Sequence, residues 1–174
     1  SGGQGLIAGG TFEGSNPDEA TYVARWNGQR WLPLADPTGL GLDDIIRTLG
    51  VYNGELIAGG QFDFASGVFT PGIAKWTPAG WRRLQVPGIP GLDGNVHDML
   101  VYEGRLIVAG SFNRAGNSLA NGIAAFDGTT WESLDLGFSS VVRVLAEYNG
   151  ELIAGGSFTD AVPATTVNHI AAWD

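Results

Sequence analysis

The sequence predicts an all-β chain without helices, built from one four-stranded antiparallel unit repeated along its length. Three observations predict it. A glycine-closed apolar stretch, Leu6-Ile7-Ala8-Gly9-Gly10-Thr11-Phe12, returns at Leu56, Leu106 and Leu152, at spacings of 50, 50 and 46 residues. A regular period in that range marks a repeat architecture. Asn53-Gly54, Glu103-Gly104 and Asn149-Gly150 stand just before three of the four copies, and aromatic residues recur in fixed register after them.

Four strands, A to D, follow from each unit. Strand A is the apolar run ahead of the turn: Ile45 to Tyr52, Val96 to Tyr102 and Val141 to Tyr148. Asn-Gly between two β-prone runs is a strong hairpin signal, because a type I′ turn needs positive φ at both central residues. Strand B is therefore the Leu-Ile-Ala-Gly-Gly stretch, paired antiparallel with A. Strand C is Tyr22-Val23-Ala24-Arg25-Trp26 and its echoes Gly72 to Trp76, Gly122 to Phe126 and His169 to Trp173. Strand D opens on Trp31, Trp81 and Trp131, after Asn27-Gly28, Ala79-Gly80 and Asp127-Gly128 turns.

Four short strands joined A-B-C-D form one blade of a β-propeller. Glycine inside a strand marks close approach by another layer. Gly10, Gly60, Gly110 and Gly156 are accordingly expected to be packing spacers that accept a neighbouring blade's Trp or Phe. Trp26, Trp31, Trp76, Trp81, Phe126, Trp131 and Trp173 are expected to pack between blades, since aromatics placed so regularly serve a core before a ligand. A phosphate-cradling role for the doublets is disfavoured, because no helix N-terminus or lysine follows them.

With these residues in place the chain resembles kelch-type propeller repeats, and also secreted bacterial propeller-repeat proteins. The resemblance rests on the doublets Gly9-Gly10, Gly59-Gly60 and Gly155-Gly156 and on the pairs Trp26/Trp31, Trp76/Trp81 and Phe126/Trp131, which stand where the family places Tyr and Trp. The third copy departs from it with Ala109-Gly110, and the aromatic spacing is shorter than typical kelch. The resemblance implies a propeller fold and no particular function.

The expected organisation is a single partial propeller domain over 1–174, with repeats at about 1–40, 41–90, 91–138 and 139–174. It opens at a B strand and stops at a C strand, giving about 14 strands, or about 3.5 blades. An open arc exposes apolar faces and strand edges, so the expected partner is a second copy, a homodimer closing a seven- or eight-bladed ring. A strained four-bladed closure, or an excised or engineered piece of a longer propeller without a role of its own, are the other readings.

Composition narrows the partners. The net charge is −9 with only nine Lys and Arg, which argues against nucleic acid and anionic membrane. No run of 18 apolar residues offers a transmembrane helix. Cysteine is absent, so disulfides, thiolate metal sites and cysteine nucleophiles are excluded; no cofactor or metal is expected. The compartment stays open, with a secreted bacterial setting favoured.

The working surface is expected on the rim that carries the long B–C connections, 13–21, 63–71, 113–121 and 159–168, and the D–A connections. Its candidate ligand-binding residues are Asp18, Asp43, Asp44, Asp63, Phe64, Phe69, Asp93, Asn113, Arg114 and Asp160, with Asn16, Glu19, Asn95, Asn117 and Asn121 beside them. A glycan or a protein is the expected ligand, with Phe64 and Phe69 as exposed stacking platforms in the glycan case. The function expected is a non-catalytic scaffold or assembly module. The alternative is a carbohydrate-active enzyme using two carboxylates among Asp43, Asp44, Asp93 and Asp98 at the channel mouth. Against it, no Gly-x-Ser-x-Gly elbow exists. Calcium lacks an Asp-x-Asp-x-Asp-Gly loop, and His97 and His169 alone build no standard zinc site. A copper-radical oxidase on a kelch-like scaffold would need a Cys-Tyr crosslink.

Overall fold

The computed structural model describes residues 5–14, 20–84, 91–162 and 165–173. Among them it is all-β, with no helix. The first sheet holds β1 (Ile7–Gly9), β2 (Val23–Trp26) and β3 (Trp31–Pro33). The second is β4 (Ile46–Tyr52), β5 (Glu55–Gly60), β8 (Ile73–Thr77) and β9 (Gly80–Arg83), with a small hairpin of β6 (Phe64–Ala65) and β7 (Val68–Phe69) between β5 and β8. The third repeats that plan: β10 (Asn95–Tyr102), β11 (Arg105–Ser111), the hairpin β12 (Arg114–Ala115) and β13 (Ser118–Leu119), then β14 (Ile123–Phe126) and β15 (Trp131–Ser133). The fourth is β16 (Val142–Tyr148), β17 (Glu151–Gly156), the hairpin β18 (Asp160–Ala161) and β19 (Thr165–Thr166), and β20 (Ile170–Trp173).

In every large sheet the strands lie side by side in chain order, so the expected A-B-C-D sequence of antiparallel pairs holds. The turns that carried that reading take the expected backbone. Asn53 and Gly54, Glu103 and Gly104, and Asn149 and Gly150 all have positive φ. The C–D turns differ: only Gly28, Gly80 and Gly128 are positive. There Asn27 and Asp127 shape the loop with their side chains, each accepting two backbone N–H bonds from the residues that follow.

The second, third and fourth B–C connections, expected as long loops, each contain a small hairpin of two-residue strands. Three bridges, Leu42 to Ala65, Leu92 to Ala115 and Phe138 to Ala161, tie that hairpin to the segment ahead of its own A strand. Strands of two residues are too short to show alternation. Ser66-Gly67, both with positive φ, was the available signal.

Three buried clusters each draw side chains from two successive sheets. One joins Val23 and Leu34 to Ala58, Phe62 and Trp81; the second joins Tyr52, Ile57 and Ile73 to Val96, Leu106 and Val108; the third joins Ile107, Ala109 and Ile123 to Val142, Leu152 and Phe158. Alternation along β5 explains the division, since Ile57 points to the third sheet and Ala58 to the first. Both faces of the second and third sheets are thus covered, and their B strands are apolar over residues 56–60 and 106–110.

The glycine doublets work differently from the expectation of a neighbouring Trp or Phe. A Cβ on Gly59 would meet Cγ1 of Val96 in the next sheet at 2.7 Å, and one on Gly9 would meet Ile46 at 2.6 Å. The first glycine therefore admits a β-branched residue of the next A strand. The second faces backbone of its own sheet: a Cβ on Gly60, Gly110 or Gly156 would run into the carbonyl of Ile45, Asn95 or Val141. That carbonyl comes forward because each A strand is bulged one or two residues later, at 46/48, 96/98 and 142/144.

Tyrosines and tryptophans link the sheets. Tyr52 donates its hydroxyl to the carbonyls of Phe126 (3.2 Å) and Gly104 (3.3 Å) in the third sheet, and Tyr102 donates to Gly150 in the fourth (2.6 Å). Trp81 donates Nε1 to Leu34 O at 2.8 Å, back to the first. The repeated aromatics, expected to pack between blades, also pair across strands of one sheet: Trp26/Trp31, Trp76/Trp81 and Phe126/Trp131 have centroids 5.5, 5.4 and 4.9 Å apart. Trp173 stands edge-on to Phe138 at 5.3 Å and donates Nε1 to Asp135 (3.1 Å). Trp31 departs from the set, since its face is exposed rather than packed.

Candidate functional site

The B–C hairpins leave the same end of the second, third and fourth sheets, because strand direction alternates and these sheets share one order. The candidate residues of that rim divide into three kinds. Asp18, with Asn16 and Glu19, lies outside the described residues.

Asp43 and Asp93 hold the hairpins. One carboxylate oxygen of Asp43 accepts the backbone N–H groups of Asp63 (3.0 Å) and Phe64 (2.9 Å). Asp93 accepts those of Asn113 and Arg114, both at 2.8 Å. In the fourth sheet Ser139 Oγ takes the same place, accepting from Thr159 (3.2 Å) and Asp160 (3.1 Å). These residues position the rim. Asp93→Ala is expected to cost about 1 kcal/mol and to speed amide exchange at Asn113 and Arg114 by up to about tenfold. Asp93→Ser, which restores the arrangement at Ser139, recovers most of both. Equal effects of the two substitutions in hydrogen-exchange and urea-unfolding measurements would contradict this role.

The remaining candidates are presented to solvent. Phe64 and Phe69 are exposed cross-strand partners of one hairpin, edge to face with centroids 5.7 Å apart. Arg83 donates Nε (3.0 Å) and Nη2 (2.6 Å) to Phe69 O, fixing the hairpin over β9. Phe64 lines a cleft of about 400 Å³ with Val23, Leu34, Leu40 and Leu42. Asp63 and Asn113 are exposed. Arg114 donates Nη2 to Asn117 O at 3.4 Å, and Asp160 is occupied locally by the hydroxyls of Thr159 and Thr166.

The carboxylates considered for catalysis are also engaged. Asp44 accepts the N–H of Ile45 (2.6 Å). Asp98 connects three A strands: it accepts from Leu145 N (2.8 Å) of β16, from Met99 N (2.8 Å) of its own strand, and more loosely from Thr48 Oγ1 (3.5 Å) of β4.

A second constellation lies where β4, β10 and β16 pack side by side. The residue extruded by each bulge is basic: Arg47, His97 and Arg143. All three, with Thr11, Ile45 and Ile46, line one open cleft of about 450 Å³. Arg47 Nη2 donates to Gln61 Oε1 and Arg143 Nε to Ser157 Oγ, each at 3.1 Å from the neighbouring B strand. Partial burial, and the positive charges of Arg47 and Arg143, hold the His97 pKa below its usual value. The sequence carried a signal for this site, a basic residue at one repeat position in all three A strands. It becomes a cluster only when the strands are laid side by side.

Comparison with protein-family models, with curated proteins and with solved structures finds no match for this chain.

Proposed function

We propose that the chain is a non-catalytic β-propeller scaffold of kelch-like blades that associates with a second copy of itself and recognises a glycan or protein on the hairpin rim. Two complete sheets in A-B-C-D order, flanked by three-stranded sheets of the same order and with three A strands packed side by side, support the propeller reading. The observation that carries self-association is a contrast between identical repeat positions. Ile73 and Ile123 are 1% and 0% exposed, while Ile170 is 62% exposed. Tyr52 and Tyr102 are 4% and 8% exposed, while Tyr148 is 66% exposed. On the opposite outer face Trp31 is 41% exposed where Trp81 is fully buried.

The fourth sheet thus presents the surface that the second and third use to receive a following sheet. The first sheet presents, at Trp31, the aromatic surface that the second and third insert toward a preceding sheet as Trp81 and Trp131. These faces are complementary, so their natural occupants are each other, in a head-to-tail pair that closes on itself. Light scattering at micromolar concentration is expected to give a dimer, and Ile170→Asp a monomer, because a charge would enter a face built for isoleucine. A monomeric wild-type chain overturns self-association.

The recognition half rests on Phe64 and Phe69, whose exposed rings offer a stacking platform beside the 400 Å³ cleft. A glycan array should show binding that Phe69→Ala abolishes. The engagement of Asp43, Asp93 and Asp98 in holding backbone favours binding over catalysis. Turnover of chromogenic glycosides, lost in Asp98→Asn, would reverse that ranking.

A further inference from the structure

We infer that the cleft between the three bulged A strands is an oxyanion site, binding a phosphate or carboxylate group through Arg47, Arg143 and His97. The chain carries a net charge of −9 and only nine Lys and Arg, yet two of those arginines and one of its two histidines converge here. The ion pairs among the described residues are Lys75–Glu55 and Arg105–Glu132, so neither arginine of the cleft has a carboxylate partner. Each guanidinium has five N–H donors and spends one on its B-strand neighbour, which orients the fork and leaves donors over. Planar forks held in this way match the paired oxygens of phosphate and carboxylate.

The bulges supply the convergence. In a regular strand the basic residue would continue the alternation of its neighbours. The extra residue instead turns its side chain out at the strand's end, and three such strands in contact turn three side chains into one space. Like charges gathered without a counter-ion repel, and a bound anion removes that repulsion.

His97 reports on occupancy. Facing it are Arg47 from β4 and Arg143 from β16. Asp98, next on its own strand, has its carboxylate committed to Thr48, Met99 and Leu145. In the free site partial burial and the two arginines disfavour the His97 proton, and an anion that offsets both arginines favours it. Binding should tighten as pH falls through the His97 titration.

The test is NMR titration of the His97 ring in sodium chloride, inorganic phosphate and citrate at matched ionic strength. Phosphate or citrate is expected to raise the His97 pKa by about one unit relative to chloride. Which anion does so identifies the group. Arg47→Gln with Arg143→Gln should abolish the rise, and Arg25→Gln, remote on β2, should preserve it. Both arginines of the cleft are exposed, so their loss leaves the core intact. Equal His97 titration in all three salts, or a rise that survives the double substitution, overturns the assignment.

Discussion

Trp81→Ala is expected to lower the unfolding free energy by about 3–5 kcal/mol, a fifth or more of the roughly 5–15 kcal/mol a domain ordinarily has. Trp81 is the largest of the fully buried side chains and fills the space between the first and second sheets, against Val23, Leu34, Phe62 and Ala74. Truncation leaves a cavity that sheets on both sides are too rigid to close. It also removes the donor that Leu34 O accepts at 2.8 Å, orphaning a buried carbonyl. Trp131 holds the same repeat position and is buried too, but among the described residues its Nε1 has no partner. Trp81→Phe should therefore cost about 1 kcal/mol more than Trp131→Phe, the difference being the orphaned carbonyl. Urea unfolding of the three variants measures both quantities. A loss below about 1 kcal/mol for Trp81→Ala would contradict the inter-sheet role.

Gly60→Ala is expected to cost about 3 kcal/mol, and Gly59→Ala about 1 kcal/mol. Neither requires an unusual φ, so the difference is purely one of neighbours. At Gly59 the added methyl meets Val96 Cγ1 and the Thr48 methyl, side chains that shift by tenths of an ångström. The third repeat carries this substitution already, as the fully buried Ala109. At Gly60 the methyl lands on the carbonyl of Ile45, with Ile46 Cα behind it. Backbone at a bulge has nowhere to retreat without opening the β4–β5 ladder. Thermal or urea unfolding should rank wild type above Gly59→Ala above Gly60→Ala. The opposite order would show that the first glycine, facing the next sheet, is the tighter contact.

Both substitutions bear on what was legible beforehand. Periodicity and turn chemistry are local properties, so the A-B and C-D hairpins and their order could be read from the chain. The Asn53-Gly54 and Asn149-Gly150 turns and the Trp76/Trp81 and Phe126/Trp131 pairs were read in this way. The two-residue hairpins of the B–C connections were not, because a strand of two residues has no period. The roles of Asp43 and Asp93 were hidden for another reason. A carboxylate that binds backbone N–H groups 20 residues later looks, in sequence, like one that awaits a ligand.

The sequence alone determined an all-β chain of repeated antiparallel sheets, since alternation, turns and repeat spacing act within one unit. Only the tertiary structure decided what lies between units. It placed Val96 rather than an aromatic against Gly59, and left Ile170 and Trp31 uncovered where their counterparts are buried. It also brought Arg47, His97 and Arg143 from 50 and 46 residues apart into one cleft. The reason is physical: a strand pattern specifies which face a side chain takes, and only the stacking of whole sheets specifies what that face meets.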